Sequence, residues 1–112
     1  MKIGFSGLNA WLLQRITALY MLVFVVVCLV HFTVDPPHSY QAWRGWMMDS
    51  TISITTSAFF AALLSHAWVG LRDVILDYIP SVALRVGLLV MLASALVAAA
   101  AVVVHIFWIQ AA

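Results

Sequence analysis

"ITALYMLVFVVVCLVHFTV", residues 16–34, runs for 19 residues without a charged side chain. A helix rises about 1.5 Å per residue and a bilayer's hydrocarbon core is about 30 Å thick, so about 20 apolar residues cross it. Two further runs meet the same condition, 22 residues from Ser50 to Leu71 and 27 from Val86 to Ala112. In hydrocarbon every backbone N–H and C=O must be satisfied within the protein, which leaves helices and closed barrels as spanning forms. A barrel needs many strands of alternating polarity, and no such pattern occurs. The pattern predicts an all-α membrane protein, one anchor domain over 1–112 with transmembrane helices at about 11–34, 51–73 and 84–109.

Composition agrees. Hydrophobic residues make up 66% of the 112 and charged residues 8%, whereas soluble domains carry about a quarter charged residues. A net charge of +1 without any Lys/Arg cluster excludes the electrostatic footprint of nucleic-acid binding. The single cysteine, Cys28, sits inside the first run; it has no partner for an internal disulfide and belongs to no CxxC motif, so it reads as a small buried hydrophobe. The first run is too long for a signal-peptide core and no A-x-A cleavage pattern follows, so the segment is expected to be retained.

The connectors set the direction of crossing. Lys2, Arg15, Arg72 and Arg85 fall on one side, and Arg44 alone on the other. By the positive-inside rule the N-terminus and the 72–85 connector are cytoplasmic and the C-terminus lies opposite. The other connector, "DPPHSYQAWRGWMMDS" (35–50), pairs two prolines with Tyr40, Trp43 and Trp46. Prolines end the first helix, and the aromatics suit a short amphipathic segment at the interface. Alanines 98–101 suit close helix packing through small side chains.

Polar chemistry is concentrated in "SHAWVGLRDVILDYIP", residues 65–80. His66 lies about 8 Å inside the cytoplasmic end of the second span, and an ionisable residue at membrane depth is expensive enough to suggest function. It suits a metal or haem ligand, a proton relay, a quinone contact, or a neutral histidine bonded to a neighbouring helix. At 100° per residue, His66, Gly70, Asp73 and Asp77 share one helix stripe from membrane interior to water. Gly70 would leave room for a flat ring, or for close helix packing. Asp77 and Tyr78 suit bonding and protonating a carbonyl oxygen, as quinone reduction requires, or an ordinary polar connector with a belt tyrosine. Arg72 and Asp73 read as a snorkelling charge and its local partner. Arg15, on the same side as His66, suits a haem propionate or a positive-inside anchor, and Thr17 lies one turn or less further in.

A haem held by two histidines needs ligating nitrogens about 4 Å apart, twice a metal–nitrogen bond of about 2 Å. His31 lies about 15 Å from His66 in depth by helical rise, and His105 lies further. Neither can share a haem with His66; if His66 binds one, the second ligand comes from another chain. The roles of His31 and His105 stay open, and His38 reads as solvated loop.

"SHAWVGLRDVILDY" resembles the H-x10-D-Y signature of the small hydrophobic membrane anchor of succinate dehydrogenase (succinate:quinone oxidoreductase, Complex II). The match takes in His66, Ala67, Trp68, Gly70, Asp77 and Tyr78; "IPSVALR" after it and "LLQRITALY" near the N-terminus, with Arg15 at the basic position, resemble the family as well. The resemblance implies a bacterial inner-membrane protein that pairs with a second three-helix anchor. Together the two anchors hold an iron–sulfur protein and a flavoprotein, which carry the iron–sulfur clusters and FAD. It implies one haem b between the anchors with His66 as an axial ligand to its iron, Arg15 near a propionate, and Tyr78 with Asp77 at the quinone. Some relatives carry a histidine shortly before the arginine, where this chain has Gly7, Leu8 and Asn9. Such an anchor catalyses nothing alone. Alternatives are a fumarate reductase anchor, with electrons flowing from quinol to fumarate, and a non-catalytic assembly or transport protein.

Overall fold

A computed structural model describes residues 7–109; Lys2, counted above among the charges, lies outside that range. Helix α1 covers Gly7–Val34, α2 Tyr40–Met47, α3 Ser50–Tyr78 and α4 Val82–Val104, and a π-helical turn, His105–Ile109, prolongs α4. Among the described residues three helices are long and apolar enough to cross a membrane: Gly7–Val34, Ser50–Tyr78 and Val82–Ile109. The described residues contain no strand. The expected all-α, three-span architecture is therefore present.

Local sequence explains the boundaries. After α1 come Pro36 and Pro37, which cannot donate to a helical ladder. Ser39 caps α2 by accepting from the Ala42 N–H at 3.0 Å, Asp49 caps α3 through Thr51 N–H at 3.2 Å, and Ser81 caps α4 through Leu84 N–H at 3.3 Å. Each such cap contributes about 1 kcal/mol. α1 already includes Gly7, ahead of Trp11, and α3 ends at Tyr78 rather than near Asp73. Apolar runs mark the thickness of hydrocarbon, whereas a helix continues into the headgroups until something breaks it. For α3 that is Pro80, which holds Ile79 extended (φ −100°, ψ 113°).

α3 packs against both α1 and α4. Phe24 stacks on Phe59 with centroids 4.5 Å apart, the Tyr20 hydroxyl donates to the Thr55 carbonyl at 2.6 Å, and the Trp108 indole donates to Ser57 Oγ at 3.2 Å. The interior is small: among the described residues Val69, 1% exposed, is the largest fully buried side chain, and Thr17, Ser53 and Thr56 are buried, as are Ala10 and Phe107. Leu19, Leu22, Val26, Val30, Val90 and Val97 face outward. Small polar groups inside and large aliphatic ones outside is the arrangement lipid favours, since hydrocarbon gives apolar side chains no reason to turn inward. Of the four alanines at 98–101, Ala100 lines the groove between α3 and α4 opposite Leu64 and Trp68. Ala98, Ala99 and Ala101 are exposed.

The connector folds back onto the end of α1. Trp46 stacks on His31 (4.5 Å, 11° between planes) and meets Phe32 edge-on at 5.0 Å. Such aromatic pairs contribute about 0.5–1.5 kcal/mol each. Trp46→Ala is therefore expected to destabilise the protein by about 1–3 kcal/mol, read as a lower thermal midpoint and faster proteolysis of 35–49. Any cofactor spectrum from the opposite end should stay unchanged.

Candidate functional site

One cavity of about 470 Å³ lies between α1 and α3. From α1 it takes Trp11, Gln14 and Arg15, and from α3 His66, Arg72 and Asp73. His66 and Arg15, singled out from sequence on separate helices, thus share one space. Asp77 and Tyr78 do not line it: they sit on the exposed last turn of α3, about 18 Å along the helix axis from His66 by helical rise. Because α3 is continuous to Tyr78, His66, Asp73 and Asp77 do belong to one helix.

His66 is half-buried, and its Nδ1 lies 2.9 Å from the hydroxyl of buried Thr17. The same hydroxyl is 2.6 Å from the Leu13 carbonyl and 3.2 Å from that of Gln14. Nε2 of His66 has no hydrogen-bond partner among the described residues. Arg15 sets its guanidinium over the Trp11 ring at 5.5 Å and has no carboxylate partner among the described residues. Asp73 has one: Arg72 reaches its Oδ1 with Nη2 at 3.0 Å and Nε at 3.2 Å. That neighbouring pair is the local partnership expected for Asp73. Arg85 donates to the Ile79 carbonyl, tying the start of α4 across the proline turn.

Gly70 accommodates a side chain of α1. A Cβ built there would lie 3.3 Å from Gln14 Nε2, so of the two uses expected for this hollow, a flat ring or close helix packing, packing by the Gln14 amide is the one present. The other end of that amide, Oε1, is buried without a partner, which costs about 1–3 kcal/mol. Gln14 and Trp11 were not among the sequence candidates. Signals for both existed: an uncharged amide inside an apolar run, and a Trp one helical turn before an Arg, the spacing at which side chains meet.

The donor set limits what the cavity can hold. No group of three or more His, Cys, Asp or Glu side chains able to hold a metal occurs among the described residues. A metal bound through His66 must therefore bring most of its own ligands. A haem does so, taking one imidazole from this side, and an unpaired guanidinium in the same wall suits its carboxylates. The residues present fit that group. His31, stacked on Trp46, and His105 line no part of this cavity.

Fold and site together define a class: a three-helix membrane protein with a polar-lined cavity between its first two spans. Over residues 2–107 the sequence matches the family described as succinate dehydrogenase/fumarate reductase transmembrane subunit. It is 32% identical over 82 residues to a succinate dehydrogenase hydrophobic membrane anchor subunit of Coxiella burnetii, covering 73% of this chain and 71% of the relative. The protein of the same description from Rickettsia felis is 31% identical over 105 residues, 92% of this chain and 87% of that one. The chain belongs to the succinate dehydrogenase/fumarate reductase family of transmembrane subunits, as a membrane anchor. It is a multi-pass protein of the bacterial inner membrane that works with partner subunits.

Proposed function

We propose that the chain is the small anchor of a succinate:quinone oxidoreductase, supplying one axial ligand to a haem b and part of the quinone-reduction site. The observation that carries this reading is the cavity shared by His66 of α3 and Arg15 of α1. Supporting the succinate direction over fumarate reduction, both relatives are described as succinate dehydrogenase anchors.

In this reading His66 would hold the haem iron and Arg15 would pair with a propionate. The haem, when bound, accepts and returns single electrons. His66 is the one histidine in the cavity wall, so a second imidazole for the iron would come from a partner, the second anchor of the complex. Flavin and iron–sulfur clusters reside in a flavoprotein and an iron–sulfur protein. The cationic side (Arg15, Arg72 and Arg85 against Arg44) faces the cytoplasm, where those two partners dock.

Asp77 and Tyr78 act at the wet end. Reducing a quinone to a quinol takes two electrons, delivered by the clusters of the partner iron–sulfur protein, and adds two protons to its carbonyl oxygens. The Tyr78 phenol, 77% exposed and without a hydrogen-bond partner among the described residues, donates to one carbonyl oxygen as negative charge builds there. Asp77, beside it, passes protons from water.

Purification in detergent from the native membrane tests the whole reading. A flavoprotein, an iron–sulfur protein and a second anchor should co-purify with the chain, and the complex should show a haem b reduced-minus-oxidised spectrum. A chain that emerges without a flavoprotein partner would overturn the reading in favour of an assembly or transport protein.

A further inference from the structure

We propose that Thr17 is the positioning residue that sets the tautomer and ring orientation of His66, leaving Nε2 free to bind metal. This rests on the reading of His66 as an axial ligand. A threonine hydroxyl has one proton and two lone pairs. Two oxygens 2.6 Å apart, as Thr17 Oγ1 and Leu13 O are, repel unless a proton lies between them, so the hydroxyl proton points at the Leu13 carbonyl. The Gln14 carbonyl at 3.2 Å lies further off and takes at most a share of it. Thr17 Oγ1 therefore has no proton to offer at its third contact, the 2.9 Å approach to His66 Nδ1. It can only accept there, so Nδ1 must carry the ring proton.

A neutral imidazole carries one N–H. With that proton on Nδ1, Nε2 presents its lone pair, the form a metal binds. The threonine is 6% exposed and its hydroxyl is held by its own helix, the i−4 back-bond common to threonine in apolar helices. Water therefore has little access to replace it. Accepting from Nδ1–H also pushes electron density toward Nε2 and raises its strength as a donor. The ring is held against rotation by a group on α1, so α1 contributes to ligand geometry as well as to the cavity wall.

The test uses the whole complex with its partner subunits. Thr17→Val keeps the branched shape and removes the acceptor; Thr17→Ser keeps it. In Thr17→Val the midpoint potential of the haem should shift upward, because a weaker imidazole donor favours the ferric state less. Haem retention on dilution should weaken about tenfold or more, the scale for losing an outer hydrogen bond to a metal ligand. Thr17→Ser should restore both. An unchanged potential and retention in Thr17→Val overturns the role of Thr17. If that variant does not assemble, Thr17→Ala, which adds no bulk, is read on the same two measurements with the same outcomes. His66→Ala separates the two levels: a low-spin spectrum that survives it overturns the ligand reading itself, whereas a spectrum lost there but indifferent to Thr17→Val overturns only the positioning role.

Discussion

With His66 as the proposed haem ligand, replacing it by alanine is expected to abolish a low-spin haem signal of the purified complex while flavin-dependent succinate oxidation to a soluble acceptor continues. His66 is the one histidine in the wall of the α1–α3 cavity, and the next imidazoles, His31 and His105, lie toward the other end of their helices. Nothing else in this chain can take over as an imidazole ligand at that depth. The loss should be severe because a haem with one remaining axial ligand is either released or left five-coordinate. Paramagnetic resonance reads both outcomes, as a missing low-spin signal or a new high-spin one. The substitution costs little elsewhere: the Thr17 hydroxyl keeps its bond to Leu13 at 2.6 Å, and His66 bonds no other described side chain. Added imidazole should restore the low-spin signal by occupying the vacated space, with Thr17 available to accept its N–H. An unchanged low-spin signal in His66→Ala would falsify the assignment.

What could be foreseen from sequence follows from the physics of each feature. The three spans were legible because hydrocarbon thickness sets a minimum run length, and the runs 16–34, 50–71 and 86–112 all reach or approach it. Their ends were less so. The apolar run after Ser50 stops at Arg72, but the helix runs on to Tyr78 because arginine and aspartate form helices well enough in headgroups and Pro80 supplies the first obstacle. This continuation keeps Asp77 and Tyr78 on the same helix as His66.

Depth was legible as well. Counting rise placed Arg15 and His66 near the same membrane face, and they do share a cavity. Rotation about each helix axis was not, because it is decided by the partner helix. The Thr17–His66 contact and the filling of the Gly70 hollow by Gln14 both depend on which face of α1 meets α3. A glycine one turn from a histidine is compatible with a ring, a backbone or a side chain. Only the packing decides that an amide takes the place.

Tyr78→Phe is expected to lower quinone reduction about 10²-fold, the scale on which one donor to a developing oxyanion contributes. Succinate oxidation with an artificial acceptor and the haem spectrum should be unaffected. The structure makes this a clean substitution. Tyr78 is 77% exposed at the end of α3 and its hydroxyl bonds nothing in the described chain, so removing one oxygen disturbs no internal contact. The helix stop also stays: it depends on Pro80 and on the Ile79 N–H bonded to the Ile75 carbonyl at 3.1 Å, not on the phenol. Two rates measured on one preparation then separate the outcomes. A fall in the quinone rate alone assigns the hydroxyl to the quinone carbonyl. If both rates fall together, Tyr78 holds the iron–sulfur protein in place, and the quinone donor must be sought on a partner chain. Asp77→Asn sharpens the division of roles. The amide still forms hydrogen bonds but cannot carry a proton between water and substrate, so its defect should grow with pH as protons become scarce, while that of Tyr78→Phe stays flat.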